Sequence, residues 1–305
     1  MKARNLLIGK LTSLVLLLSF LPGCGDFDFH GQELSLQHDL HSNSLELELR
    51  YSGVTVSTVE KKEEYSAKKI EKVKLAVEGV SEGNRYFMLL FREFVFDIDE
   101  MLEMIEKEQD LEYRALWKEA VDSISITEAR VHLDKRDRVG IYQRIGIQDA
   151  RRFTQLIQEL VQGSILGGAK DGEFGDKGLR ETFDAETQLA WIAEAKEGVQ
   201  WFSWVGRDLH ISLPMSPSSA ARLMKATLVS QAKIEEKTIR NILPSLFSLA
   251  SEIRLENDHL YITLSGDDQG VMRFSREEPK LEYDTSLVEA LRESGFQFSP
   301  KPGAR

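Results

Sequence analysis

The chain has 305 residues, with 39 lysines and arginines against 50 aspartates and glutamates and a formal net charge of −11 at pH 7. Such a chain is repelled by nucleic acid and by anionic lipid headgroups, so neither is expected as an electrostatic partner. An apolar fraction of 42% with 15 phenylalanines argues against disorder, and a single cysteine excludes an intrachain disulfide framework or a Cys-ligated zinc.

Residues 1 to 23 have a basic start with Lys2, Arg4 and Lys10, an apolar run from Leu11 to Leu21, and the small Gly23. The run is too short for a membrane-crossing helix, which needs about 20 apolar residues, and it reads as a signal peptide. Its last residues, "LPGC", resemble the lipobox of bacterial lipoproteins, with Leu21 three places before Cys24 and Gly23 one place before. Pro22 stands where a small or β-branched residue is more usual in that family. The resemblance implies that the Cys24 thiol becomes a thioether to diacylglycerol and that cleavage makes Cys24 the first residue. Membrane lipid is therefore the expected partner through Cys24, and the bacterial cell envelope the expected location. Gly25 displaces Asp26 from the place directly after the cysteine, which favours the outer membrane over the inner.

A tether of a few residues leads to "ELSLQHDL" and "LELELRY", two strands joined at "HSNS". Leu34, Leu36 and Leu40, and then Leu45, Leu47, Leu49 and Tyr51, share one face, while Glu46, Glu48 and Arg50 take the wet one. Gly53 shifts the parity toward Val54 and Val56, which reads as a bulge or a strand end. A helix follows over roughly 60–80 with Ile70, Val73, Val77 and Val80 on one stripe. "RYFMLLFREFVF" is apolar on both parities up to Phe91 and reads as a central strand buried on both sides. Asp97 then caps a helix, with Glu100 three residues on. A second helix is expected over about 111–121.

"ISITEARVHL" and "RVGIYQRIGI" are strands across the turn "DKRD". A helix capped by Asp149 follows, with Phe153, Leu156, Ile157, Leu160 and Val161 on its core stripe. Beyond a helix near 185–195, "VQWFSWV" and "LHISLPM" pair across "GRD". Ser216 caps the next helix, with Pro217 in its first turn. Another helical stretch surrounds Pro244, and "EIRLE", "HLYITL" and "VMRFS" are strands before a helix that ends at Gly295. The order helix, helix, hairpin, helix thus occurs twice, which suggests two similar lobes.

The candidate sites each have a structural explanation. Gly163 to Gly178 holds six glycines, but Ala169 separates Gly168 from Lys170 and a helix precedes the run, so it is no phosphate loop. It reads as a linker between lobes or a flap over a cleft. His38 and His41 point to opposite faces of a strand and cannot share a metal, and His38 is expected to be partly buried and hydrogen-bonded. Asp97, Asp99 and Glu100 could do acid and base chemistry, yet a helix start explains them as well. Trp201 and Trp204 fall on opposite faces, one for the core and the other as the best candidate contact surface. No zincin motif or Walker lysine occurs, and no serine-hydrolase reading is supported.

The sequence therefore reads as an α+β protein with antiparallel sheets from short hairpins and helices on one face. The expected divisions are a signal peptide at 1–23, a lipidated cysteine and tether at 24–31, a first lobe at 32–162, a Gly-rich linker at 163–180, a second lobe at 181–298 and a tail at 299–305. Its expected role is that of an envelope lipoprotein that binds an envelope protein partner or serves structurally, without metal or cofactor. The alternative is an envelope enzyme or small-ligand receptor with a cleft between lobes.

Overall fold

The structure, a computed structural model, describes residues 27–56, 63–81, 86–88, 95–97, 102–103, 105–108, 110–170, 183–230, 250–277 and 285–300. Six helices are used below: α1 (Glu63–Ser81), α2 (Leu111–Asp122), α3 (Ala150–Lys170), α4 (Ala185–Glu197), α5 (Pro217–Ser230) and α6 (Ser286–Glu293). The strands are β1 (Phe27–Asp28), β2 (Gly31–Asp39), β3 (Ser44–Val56), β4 (Tyr86–Met88), β5 (Val95–Asp97), β6 (Ile124–Leu133), β7 (Val139–Ile147), β8 (Phe202–Val205), β9 (Asp208–Pro214), β10 (Ala250–Glu256), β11 (His259–Leu264) and β12 (Val271–Glu277).

The fold is α+β, and every strand pairing among the described residues is antiparallel. One sheet runs β12-β2-β3-β7-β6 with β1 against the far end of β3, and a second runs β10-β11-β9-β8. The alternation read in β2 and β3 sets the faces of the first sheet. Leu45, Leu49 and Tyr51 are buried with Ile141, Ile145 and Ile147 of β7. On the opposite face Arg144 pairs with Glu48 at 2.7 Å and Glu46 at 3.5 Å, and Arg50 pairs with Glu48 at 3.1 Å. The bulge falls between Ser52 and Val54, where Gly53 takes a φ of 62° that side chains rarely adopt.

Helices α1 and α6 pack against each other and on β3, and α1 also reaches β6. They bring Val73, Val77, Val80, Leu287, Val288 and Leu291 into the core. Helix α3 carries the stripe read from its sequence, with Phe153, Leu156, Ile157, Leu160 and Val161 all buried, and it packs on α2, α4 and β8. Among the described residues no helix is long and apolar enough to cross a membrane.

Several expectations are corrected. Residues 86–88 and 95–97 are not parts of one central strand but pair with each other as a small hairpin apart from both sheets. The linker expected at 163–180 begins as helix, since α3 continues to Lys170, and 171–182 lie outside the described residues. Gly163 has a packing reason to be there, because a Cβ would sit 3.0 Å from the Tyr113 ring of α2. The span 181–298 contributes strands to both sheets. β12 pairs with β2 over seven residues, and α6 packs on α1, so both return to the first sheet. Leu40 leaves its strand face and is 48% exposed in the β2–β3 turn.

Candidate functional site

Among the described residues a groove of about 810 Å³ lies between the start of α3 and the edge strand β8. The β2–β3 turn closes its upper end. Asp149, held at a positive φ of 51°, accepts hydrogen bonds from the Arg152 N–H at 3.0 Å and from Asn43 Nδ2 at 2.7 Å. The first acceptance is the helix cap read from the sequence. The Ala150 N–H donates to the Asn43 carbonyl at 2.6 Å, so the turn is buckled onto the helix start.

His38, only 2% exposed, joins the two sheets at this point. Its ring bridges Asn43 Oδ1 and the Gly206 carbonyl of the β8–β9 turn, each at 3.2 Å, and lies 4.4 Å from the Trp204 ring. The expected burial and hydrogen bonding of His38 are both present, and His41 is exposed in the turn.

Gln158 fixes β8 against α3. Its Oε1 accepts from the Trp201 N–H at 2.7 Å and the Phe202 N–H at 3.2 Å, and its Nε2 donates to the Val199 carbonyl at 3.3 Å. Trp204 Nε1 donates to Thr154 Oγ1 at 2.8 Å from the other side. The groove surface is therefore built of amides and hydroxyls, with Trp204 and Phe202 as its apolar part.

Its charges are asymmetric. Two arginines and one aspartate line it. Arg152 is clasped by Glu119 at 2.7 and 2.8 Å and touches Glu159 at 3.4 Å; the bond to Glu119 raises the pKa of the guanidinium further, so the cation is fixed in place. Arg151 is exposed and has no carboxylate partner among the described residues.

A second depression, of about 410 Å³, lies on the wet face of the first sheet. Register explains it, since Gly31, Ser52, Gly140 and His132 stand side by side across β2, β3, β7 and β6. Three small residues in one row leave a hollow, and the His132 ring lies over Gly140, where a Cβ would meet Nε2 at 2.5 Å. Its cations are already matched: Arg138 Nε donates to Asp134 at 2.7 Å, and Arg50 reaches Glu48 while lying 5.4 Å from the Tyr142 ring. The α3–β8 groove, with an unmatched arginine, is the better equipped of the two.

The structure places the sequence candidates unequally. Trp201 is 2% exposed with Nε1 bound to Glu194 at 2.8 Å, so it is a core residue and not a contact residue. Trp204 lines the groove but is half-buried against His38, not free on a surface. Asp97 ends β5, whereas Cys24, Asp99 and Glu100 lie outside the described residues. Among the described residues no three His, Cys, Asp or Glu side chains gather where a metal could sit.

One spacing escaped the motif reading. Gly79, Val80, Ser81, Glu82 and Gly83 follow G-x-S-x-G. A nucleophile elbow needs a strand before the serine and a helix after it, and here Ser81 is the last residue of α1. Asn43, Arg151 and Gln158 were also missed, because nothing local announces that α3 will meet β8. Comparison with family models, curated proteins and solved structures gives no match.

Proposed function

We propose that this chain is an exported lipoprotein, held on the envelope membrane through Cys24, whose α+β body binds an envelope protein partner along the α3–β8 groove. The observation that carries the anchoring is "LPGC" at the end of an apolar run, around the only cysteine of 305 residues. Acyl chains burying about 0.8 kcal/mol per methylene hold a protein firmly when two or more are present, and an acidic body needs that hold because headgroups repel it. Gly25 after the cysteine favours the outer membrane.

The binding role is supported by a groove that combines amide donors and acceptors, a tryptophan and an unmatched arginine. The volume also suits a small-ligand receptor or an enzyme cleft, whose usual range is about 300–1,000 Å³. Its open, amide-rich surface favours a macromolecular partner over a small molecule that must be enclosed.

The anchoring test uses the lone cysteine. Membranes are washed with high salt and alkaline carbonate, and the chain is then denatured and treated with a maleimide. The wild type should stay with the outer-membrane fraction, refuse the maleimide and yield an acylated N-terminal peptide by mass spectrometry. Cys24→Ala should lose the acyl mass. A wild-type Cys24 that labels fully as a free thiol overturns the proposal.

A further inference from the structure

The partner chemistry can be read from the backbone of β8. In an antiparallel pair, residues alternately exchange both hydrogen bonds with the neighbour or turn both groups away from it. Val205 pairs with Asp208 across the two-residue turn Gly206–Arg207, and Ser203 pairs with His210. The Ser212 N–H donates to the Trp201 carbonyl at 2.8 Å, which fixes the phase. The Trp201 carbonyl and both backbone polar groups of Ser203 and Val205 therefore face β9, the Trp201 N–H goes to Gln158, and Phe202 and Trp204 turn theirs outward. Among the described residues β8 is the last strand of its sheet, so outward means into the groove between β8 and α3.

Side chains occupy this edge at both ends. The Phe202 N–H is bound by Gln158 and its carbonyl by Gln200 Nε2 at 3.2 Å. The Gly206 carbonyl is bound by His38. Between them the Trp204 N–H and carbonyl have no protein partner among the described residues, and Trp204 lines the groove. A segment laid there finds one strand-like position open, with the exposed and unmatched Arg151 on the opposite wall.

We propose that the groove takes an extended acidic peptide segment, which adds to β8 through the Trp204 backbone and sets a carboxylate against Arg151. Strand addition of this kind draws affinity from main-chain hydrogen bonds and specificity from the flanking side chains. The proposal rests on the binding role given above and assigns its ligand class.

The test uses the full-length mature chain in detergent and an acetylated octapeptide alternating glutamate with valine and threonine. Binding is followed by tryptophan fluorescence and by hydrogen exchange in the segment Phe202–Val205. The expected result is saturable binding with slowed exchange there, weakened about tenfold or more by N-methylation of alternate peptide amides. Arg151→Glu should weaken binding by a similar factor, while Arg151→Lys retains most of it. Equal binding of the N-methylated peptide overturns strand addition while the groove remains a binding surface. Equal binding of a lysine-for-glutamate peptide overturns the charge assignment, and no binding by any peptide overturns the ligand class. The anchoring result is unaffected by all three.

Discussion

Replacing Gln158 by leucine tests how the groove is held open. Gln158 is 7% exposed and is the acceptor for two backbone donors of the segment entering β8, Trp201 at 2.7 Å and Phe202 at 3.2 Å. Leucine has a similar size and no acceptor, so both N–H groups lose their partner. A buried donor left without one costs about 1–3 kcal/mol. The Trp201 donor bears the full penalty, whereas the longer Phe202 bond faces the groove, where water can substitute. The Val199 carbonyl keeps Gln162 at 2.7 Å and adds nothing. Burial of the new methyl groups returns about 1 kcal/mol, leaving a net loss of up to about 2 kcal/mol. Urea unfolding of the protein should show a lowered midpoint with an unchanged slope. Gln155→Leu is the control, because Gln155 is exposed and among the described residues its side chain bonds only to Glu159, so a change within about 0.5 kcal/mol is expected. A midpoint for Gln158→Leu equal to that of Gln155→Leu would refute the role assigned to this glutamine.

Two further outcomes concern other parts of the molecule. Gly140→Ala should destabilise by about 1–3 kcal/mol, because the new Cβ meets the His132 ring, and His132→Ala in the same chain should recover most of that loss in a double-mutant cycle. An undiminished loss in the His132→Ala background would place the strain elsewhere. Asp184 caps α4: burial pushes its carboxyl up, but the Ser216 and Ser218 hydroxyls and the Thr187 N–H outweigh this and hold it well below its ordinary 3.8. Its contribution is thus present above that ordinary value and lost as pH falls toward the folded one. Asp184→Asn should flatten the acid limb of a stability–pH curve between about pH 4 and pH 2, and an unchanged slope there would remove Asp184 as its source.

Local patterning carried much of the fold. The β2–β3 hairpin, the β6–β7–α3 unit and the caps Asp149 and Ser216 follow from alternation, helical spacing and capping residues within short windows. Failures came where the deciding interaction was distant. "VMRFS" is as suitable beside β11 as beside β2, and only tertiary pairing selects β2. Glycines from 163 onward resemble a loop until Tyr113 is known to need the space at Gly163. The site was less legible still. Trp204 could be singled out as an aromatic in a short strand, but its backbone vacancy depends on strand phase, on Gln158 from α3 and on His38 from another sheet.

The pairing of β2 with β12 also bears on when this protein can fold. Gly31 at the start of one sheet meets Glu277, which is synthesised long after it. Until β12 arrives, β2 has β3 on one side and an unsatisfied edge on the other, and such an edge invites mispairing. Long-range closure of this kind is slow relative to local hairpin formation. Under the export proposed above, that delay becomes an advantage: the first sheet would not close until β12 had followed β2 across the membrane.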